Sequence, residues 1–254
     1  MPSLTFSLLD KIIAPPPPTS RTSFLTGWRY AHRGLHGNGL VENTRAAFAA
    51  AIAADMGIEC DVSLSADGIP FVFHDDTLER LTGQSGPLEA RNAADLEELT
   101  ILGTDETIPR LDEVIDLVAG QVPILIELKT RDLRVGRLCL AVRRMLEGYR
   151  GSAAVMSFNP EVGYWFAEHA PRITRGLVIS EADKSGVWAL IERHWSLWRA
   201  KPDLLAYDVR DLPSRFAAAQ RARGIPLLTW TVRGAAAEAT AAAYADAPIC
   251  ETQA

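Results

Sequence analysis

Two pairs of charged residues stand out because of the company they keep. Glu59 and Asp61 lie two positions apart in Ile58-Glu59-Cys60-Asp61-Val62, and Glu127 and Lys129 lie two apart in Ile126-Glu127-Leu128-Lys129. Both runs read as strands that are otherwise apolar. Residues two apart on a strand share a face, so each pair projects together. A charge at a buried strand position is costly unless it is paired or bound to a metal. Three carboxylates, Glu59, Asp61 and Glu127, converging on one place would repel one another. A hard divalent cation relieves that repulsion, and all-oxygen ligation suits Mg²⁺ or Ca²⁺. For Glu-Cys-Asp alone, solvated side chains facing outward are an equal reading. The second strand, with Glu127, weighs against it.

His32 and His74 are the natural proton-transfer pair, because histidine titrates nearest neutral pH and each closes a predicted strand. Arg33 and Lys129 add positive charge, and an arginine can grip a phosphate with two parallel hydrogen bonds. Trp230 sits in a strand and can stack on a substrate. Gly34 lets the backbone turn sharply after His32-Arg33. Other residues read as structural. His36, in the loop His36-Gly37-Asn38-Gly39, reads as exposed, and His169 and His194 fall in helical stretches. Trp28, Trp165, Trp188, Trp195 and Trp198 read as core or helix-face residues. Asn43 reads as the N-cap of a helix that begins at Thr44.

The elements that must position these residues alternate. Strands are predicted at 29–32, 58–64, 71–74, 124–128, 153–157, 176–179, 204–209, 227–232 and 248–250. Helices are predicted at 44–54, 111–118, 138–147, 160–169, 187–198, 213–223 and 235–244. Alternating strands and helices imply parallel strands with helices outside. The pair 58–64 and 71–74 is joined by a short turn around Ala66-Asp67-Gly68. Parallel neighbours need a crossover of about a dozen residues, so this pair must be an antiparallel hairpin. Eight parallel strands remain among the 254 residues, which fits an α/β fold of the (β/α)₈ TIM-barrel type. The active site of such a barrel sits at the C-terminal strand ends, where His32, Glu59, Asp61, Glu127 and Lys129 fall and to which the hairpin returns His74. Residues 76–109 are too long for an ordinary loop and read as a small insertion after the hairpin. An open doubly wound sheet is the alternative, but no Gly-rich dinucleotide turn supports it.

Residues 1–27 read as a separate leading segment, a helix followed by Pro15–Pro18, with the barrel running over 28–254. The chain stops soon after Cys250, so the eighth helix is expected to be missing or replaced by that segment. Leu4, Leu8, Leu9, Ile12 and Ile13 share a helical face, which packs against the domain or makes a weak membrane contact. The absence of a basic start and cleavage site, with three scattered cysteines, suggests a cytoplasmic protein. With 48% hydrophobic and 23% charged residues the composition is that of a globular chain and excludes disorder and coiled coil. A net charge of −6 argues against nucleic acid as a partner and leaves room for a small anion held by local cations.

Taken in order, Ala31-His32-Arg33-Gly34, Glu42-Asn43-Thr44, Gly57-Ile58-Glu59-Cys60-Asp61-Val62, Asp67-Gly68, Phe73-His74-Asp75, Ile126-Glu127-Leu128-Lys129, Ser157-Phe158-Asn159-Pro160 and Thr229-Trp230-Thr231-Val232 resemble the glycerophosphodiester phosphodiesterase family. The resemblance implies a (β/α)₈ barrel and metal-dependent hydrolysis of glycerophosphodiesters to glycerol 3-phosphate and an alcohol. It implies that His32 and His74 are the acid/base pair and that Glu59, Asp61 and Glu127 hold the divalent cation. Arg33 and Lys129 would contact the phosphate, Trp230 would wall the glycerol, and Glu42 would support the site from behind. Cys60, Arg110 and Glu251 depart from the family pattern, Glu251 standing where an Asp is usual. Two alternatives remain: a lysophospholipase D on the same barrel, and a phosphate-binding scaffold without catalysis.

Overall fold

The computed structural model describes residues 4–130, 132–182 and 185–251. The first three residues of the predicted leading segment and the last three of the barrel segment lie outside this description. Nine strands occur among the described residues: β1 Tyr30–Ala31, β2 Gly57–Leu64, β3 Pro70–Val72, β4 Ile124–Leu128, β5 Ala153–Ser157, β6 Thr174–Ile179, β7 Leu204–Asp208, β8 Leu227–Val232 and β9 Ala247–Cys250. All but β3 are parallel, and the strand order is that of a (β/α)₈ barrel. The chain divides into two compact units, Tyr30–Ala153 with Glu251–Ala254, and Met1–Arg29 with Ala154–Cys250.

In the first of these units, β2 is the hub. It pairs in parallel with β1 (Ala31↔Ile58) and β4 (Asp61↔Glu127), and antiparallel with β3 (Val62↔Val72). The antiparallel β3 is the hairpin return that the short turn required. Glu59, Cys60 and Asp61 are all buried, although Cys60 faces opposite to its neighbours. The helix Arg45–Ala53 follows β1, with Thr44 accepting from the Ala47 amide as its N-cap. Thr44, not Asn43, is therefore the cap. The helix Leu111–Val118 carries Leu111, Val114, Ile115 and Val118 on its buried face, the spacing of an amphipathic helix.

The end of the hairpin and residues 76–109 share a small core. Phe71, Phe73, Leu78, Leu88, Leu96, Ile101 and Ile108 pack together behind the hairpin. Each buried side chain of this size contributes about 1.5–3 kcal/mol of hydrophobic stabilisation. A short helix, Glu79–Thr82, follows directly after the hairpin and ends at Gly83 in the left-handed region.

The other unit contains β5 to β9, paired in parallel as Ala154↔Thr174, Gly176↔Leu204, Leu205↔Leu227 and Leu228↔Ala247. The helices Pro160–His169, Gly186–Ala200, Arg215–Ala222 and Gly234–Tyr244 connect these strands. Asn159 and Ser214 cap two of them by accepting from the Glu161 and Ala217 amides. The leading helix, Leu4–Ile13, packs on Gly186–Ala200, where Phe6 stacks on His194 at 4.3 Å. Its Asp10 also reaches Gln220 on Arg215–Ala222. Its partners are thus the helices that follow β6 and β7, rather than the place of an eighth helix. Among the described residues, no helix is long and apolar enough to cross a membrane.

Candidate active site

The carboxylates foreseen on β2 and β4 do converge. Oxygens of Glu59, Asp61 and Glu127 lie within 4.8 Å of one another, and all three side chains are buried. The parallel register that sets Asp61 opposite Glu127 causes this, and strand alternation adds Glu59 to the same face. Lys129 Nζ reaches Glu127 Oε1 at 2.5 Å and Asp61 Oδ1 at 2.9 Å. Arg33 Nε lies 3.2 Å from Asp61 Oδ2, and its backbone amide donates to Glu59 Oε2 at 3.0 Å.

The charges are unevenly compensated. Burial pushes the Glu59 carboxyl well above its ordinary value, and Asp61 and Glu127 push it further. Burial also raises Glu127, against the pull of Lys129. Asp61 is held low despite its burial, because Lys129 and Arg33 flank it. Glu59 Oε1 is buried and has no hydrogen-bond partner among the described residues. At an orphaned buried oxygen beside two further carboxylates, a cation would relieve the repulsion. The donor set is hard and all-oxygen, so Glu59, Asp61 and Glu127 fit a divalent ion such as Mg²⁺ or Ca²⁺.

Asn43 belongs to this centre as well. Its amide donates to Asp61 Oδ2 at 3.0 Å, and its backbone sits at φ 56°. Asparagine tolerates that left-handed conformation better than most residues. A purely structural cap was expected, but Asn43 holds a candidate metal ligand in place. Next to it, Arg33 has φ 57° and Gly34 φ 79°. A Cβ at Gly34 would meet Ala47 Cβ at 2.9 Å, so the turn that presents Arg33 excludes a side chain there.

Both candidate histidines lean on a carboxylate through Nδ1. His32 Nδ1 is 2.6 Å from Glu251 Oε1, and His74 Nδ1 is 2.7 Å from Asp75 Oδ1. His32 Nε2 lies 4.0 Å from Glu59 Oε2. Burial lowers the His32 pKa, which outweighs the opposite effect of Glu251. His74 is near enough for its charge to act on Asp61. Asp75 is pulled down to about 2, first by its hydrogen bond from Arg80. Arg80, on the short helix after the hairpin, also binds Glu42, which in turn holds Arg33 at 2.9 Å. Glu42 thus lies behind Arg33, linking it to the loop that carries His74.

Four residues escaped sequence reasoning. Arg80 and Asp75 form the bridge just described. His36, expected to be exposed, is largely covered, and its Nε2 lies 3.9 Å from Glu251 Oε1. Glu251, noted only as a departure from a pattern, contacts His32 from 219 residues away. The closing strand gave one signal: an acid at the end of an apolar run, as in β2 and β4. Trp230 lies in the other unit, where its ring packs edge-on to Phe158 at 5.4 Å and its Nε1 donates to the Ala206 carbonyl.

Residues 32–248 match the glycerophosphoryl diester phosphodiesterase family. The chain is 30% identical over 177 residues to glycerophosphodiester phosphodiesterase 1 of Bos taurus, covering 66% of this chain and 49% of that protein. It is 36% identical over 111 residues to a glycerophosphodiester phosphodiesterase of Bacillus altitudinis, covering 41% of this chain and 44% of the relative. It therefore spans about half the length of the curated relatives it matches. Among solved structures it is similar to an Oleispira antarctica phosphodiesterase in complex with the product sn-glycerol-3-phosphate, with a TM-score of 0.79, 25% identity, and coverage of 91% of this chain and 94% of that one. A Thermotoga maritima glycerophosphodiester phosphodiesterase gives a TM-score of 0.71 and 25% identity over 88% of this chain and 94% of the other. The chain belongs to the glycerophosphoryl diester phosphodiesterase family.

Proposed function

We propose that this protein hydrolyses glycerophosphodiesters to glycerol 3-phosphate and an alcohol, with a divalent cation held by Glu59, Asp61 and Glu127. The observation that carries the reading is the cluster of three buried carboxylates within 4.8 Å, flanked by Arg33 and Lys129. When bound, the cation supplies positive charge against the phosphate and against the charge that builds in the transition state. Arg33 and Lys129 bind the remaining phosphate oxygens, and Glu42 keeps Arg33 in place. His32 and His74 work as a pair through Nε2: one takes a proton from the attacking hydroxyl, and the other gives one to the departing alcohol. A carboxylate at each Nδ1 favours the tautomer that leaves Nε2 for this work. Trp230 is proposed as a wall for the glycerol, on the strength of the sequence resemblance.

The alcohol is proposed to enter a cavity of about 630 Å³ lined by Asp75, Asp76, Glu89 and Lys129. The insertion contributes Asp76, Leu88 and Glu89 to its wall, so residues 76–109 are proposed to select the alcohol. The cytoplasm is the proposed location.

A second reading is favoured by one observation. Leu8 and Ile12 on the leading helix are exposed, as are Val187, Trp188, Ile191 and Trp195 on the helix it packs against. Trp188 is 82% exposed, which suits contact with lipid better than a water-soluble substrate requires. Lysophosphatidylcholine is the corresponding substrate.

The test is release of glycerol 3-phosphate from glycerophosphocholine and glycerophosphoethanolamine in EDTA, and after adding Mg²⁺ or Ca²⁺. Release that stops in EDTA and returns with one ion supports the reading. No release with either ion, from folded protein, overturns it in favour of lysophosphatidylcholine, assayed in parallel.

A further inference from the structure

Glu251 lies just beyond the span that matches the family and directly after β9. It follows Cys250, which is buried, so the strand fixes where its side chain starts. Its Oε1 meets His32 Nδ1 at 2.6 Å, and both side chains are largely covered, at 14% and 11% exposed. A carboxylate can only accept, so the proton in this bond belongs to Nδ1. The neutral ring then carries its lone pair on Nε2, the nitrogen 4.0 Å from Glu59 Oε2. His36 Nε2 stands 3.9 Å from the same Glu251 oxygen, which keeps two imidazoles around one carboxylate.

We infer that Glu251 is a positioning residue for His32: it holds Nδ1–H and so fixes the ring with Nε2 aimed at the carboxylate centre. The inference rests on the reading of His32 as a proton-transfer residue. The physical reasoning is that of the serine-protease triad, where a buried carboxylate sets the tautomer and angle of a histidine without taking the proton. Directly after β9, the glutamate side chain reaches His32 Nδ1 at 2.6 Å. His74 needs no such distant partner, because Asp75 is its neighbour in sequence.

The test uses Glu251→Ala and Glu251→Gln in the full chain, with glycerophosphocholine as substrate. Glu251→Ala is expected to lower kcat about 10–100-fold, the usual cost of losing an orienting partner, and to leave KM within about twofold. Glu251→Gln keeps the volume, but its amide can turn to donate to Nδ1 and select the opposite tautomer, so it should lose at least as much rate as Glu251→Ala. In ¹⁵N-histidine-labelled protein, His32 should be protonated on Nδ1 in the wild type and lose that preference in both variants. Unchanged kcat in Glu251→Ala, or an unchanged His32 tautomer, overturns the inference. So does wild-type turnover in Glu251→Gln, where the volume is kept and the charge is lost. Should the alanine variant fail to fold, the isosteric Glu251→Gln decides: loss of the His32 Nδ1–H preference with a fall in kcat supports the inference, and retention of both overturns it. Full activity in His32→Ala would remove the catalytic reading itself. The tautomer, measured without turnover, distinguishes that failure from this one.

Discussion

Asp10 and Glu59 are both buried carboxylates, one in each unit, and they are treated in opposite ways. Asp10 accepts from His194 Nδ1 at 2.9 Å, Trp198 Nε1 at 2.8 Å and Gln220 Nε2 at 2.8 Å. Its carboxyl is held below its ordinary value although burial opposes this. Glu59 has one backbone donor, an orphaned oxygen, and two carboxylate neighbours, and it is pushed up. The same residue chemistry at the same depth therefore serves two ends. Where donors occupy the oxygens, the charge ties three helices together. Where other carboxylates crowd them, the protein is left short of positive charge at that point, which is the place proposed above for a cation.

The comparison can be broken most forcefully at the histidines proposed to serve the crowded centre. His74→Ala should lower kcat by about 10²–10⁴-fold while the affinity for Mg²⁺ or Ca²⁺, measured by calorimetry, stays nearly constant. A variant with normal turnover would detach the carboxylate centre from acid/base chemistry. On the other side, Asp10→Ala should cost about 3 kcal/mol in urea unfolding, because three buried donors lose their acceptor. Its kcat per folded molecule should not change. A large loss of turnover with normal stability would make Asp10 part of the chemistry and erase the contrast.

Cation binding gives the next effect. At about 100 times its dissociation constant, the ion should add about 2.7 kcal/mol to stability. Glu59→Gln should abolish that gain and, without the ion, unfold at slightly higher temperature than the wild type, by about 1 kcal/mol. Melting scans with EDTA and with Mg²⁺ measure both. A lower melting temperature in EDTA would mean that Glu59 is not under repulsion.

The smallest effect is on pH dependence. The folded pKa of Asp10 is depressed, so its contribution to stability is complete above the unfolded value, near about 3.9. It is lost as pH falls through the folded value. Below pH 4, the wild type should therefore lose stability more steeply than Asp10→Asn, as read from urea midpoints. Parallel curves would show that Asp10 is not held low.

Much of the candidate site was legible because strand parity is a local property. Glu59/Asp61 and Glu127/Lys129 share faces by spacing alone, and the short turn at Ala66-Asp67-Gly68 forced β3 to run back. Asn43 was misjudged because its neighbour Thr44 offers an equally good cap. The choice depended on the φ of 56° that turns Asn43 inward to Asp61. Asp10 carries no local sign of its role. Its partners at His194 and Gln220 are 184 and 210 residues away.

The sequence by itself therefore determined the alternation of strands and helices, the antiparallel hairpin, and which carboxylates share a face. These follow from periodicity and turn length, which act over a few residues. Only the tertiary structure decided that Asp61 stands opposite Glu127, that Glu251 meets His32, and that Asp10 is satisfied while Glu59 is not. Those outcomes depend on register and on which donors distant segments deliver, and no local rule of spacing contains that information.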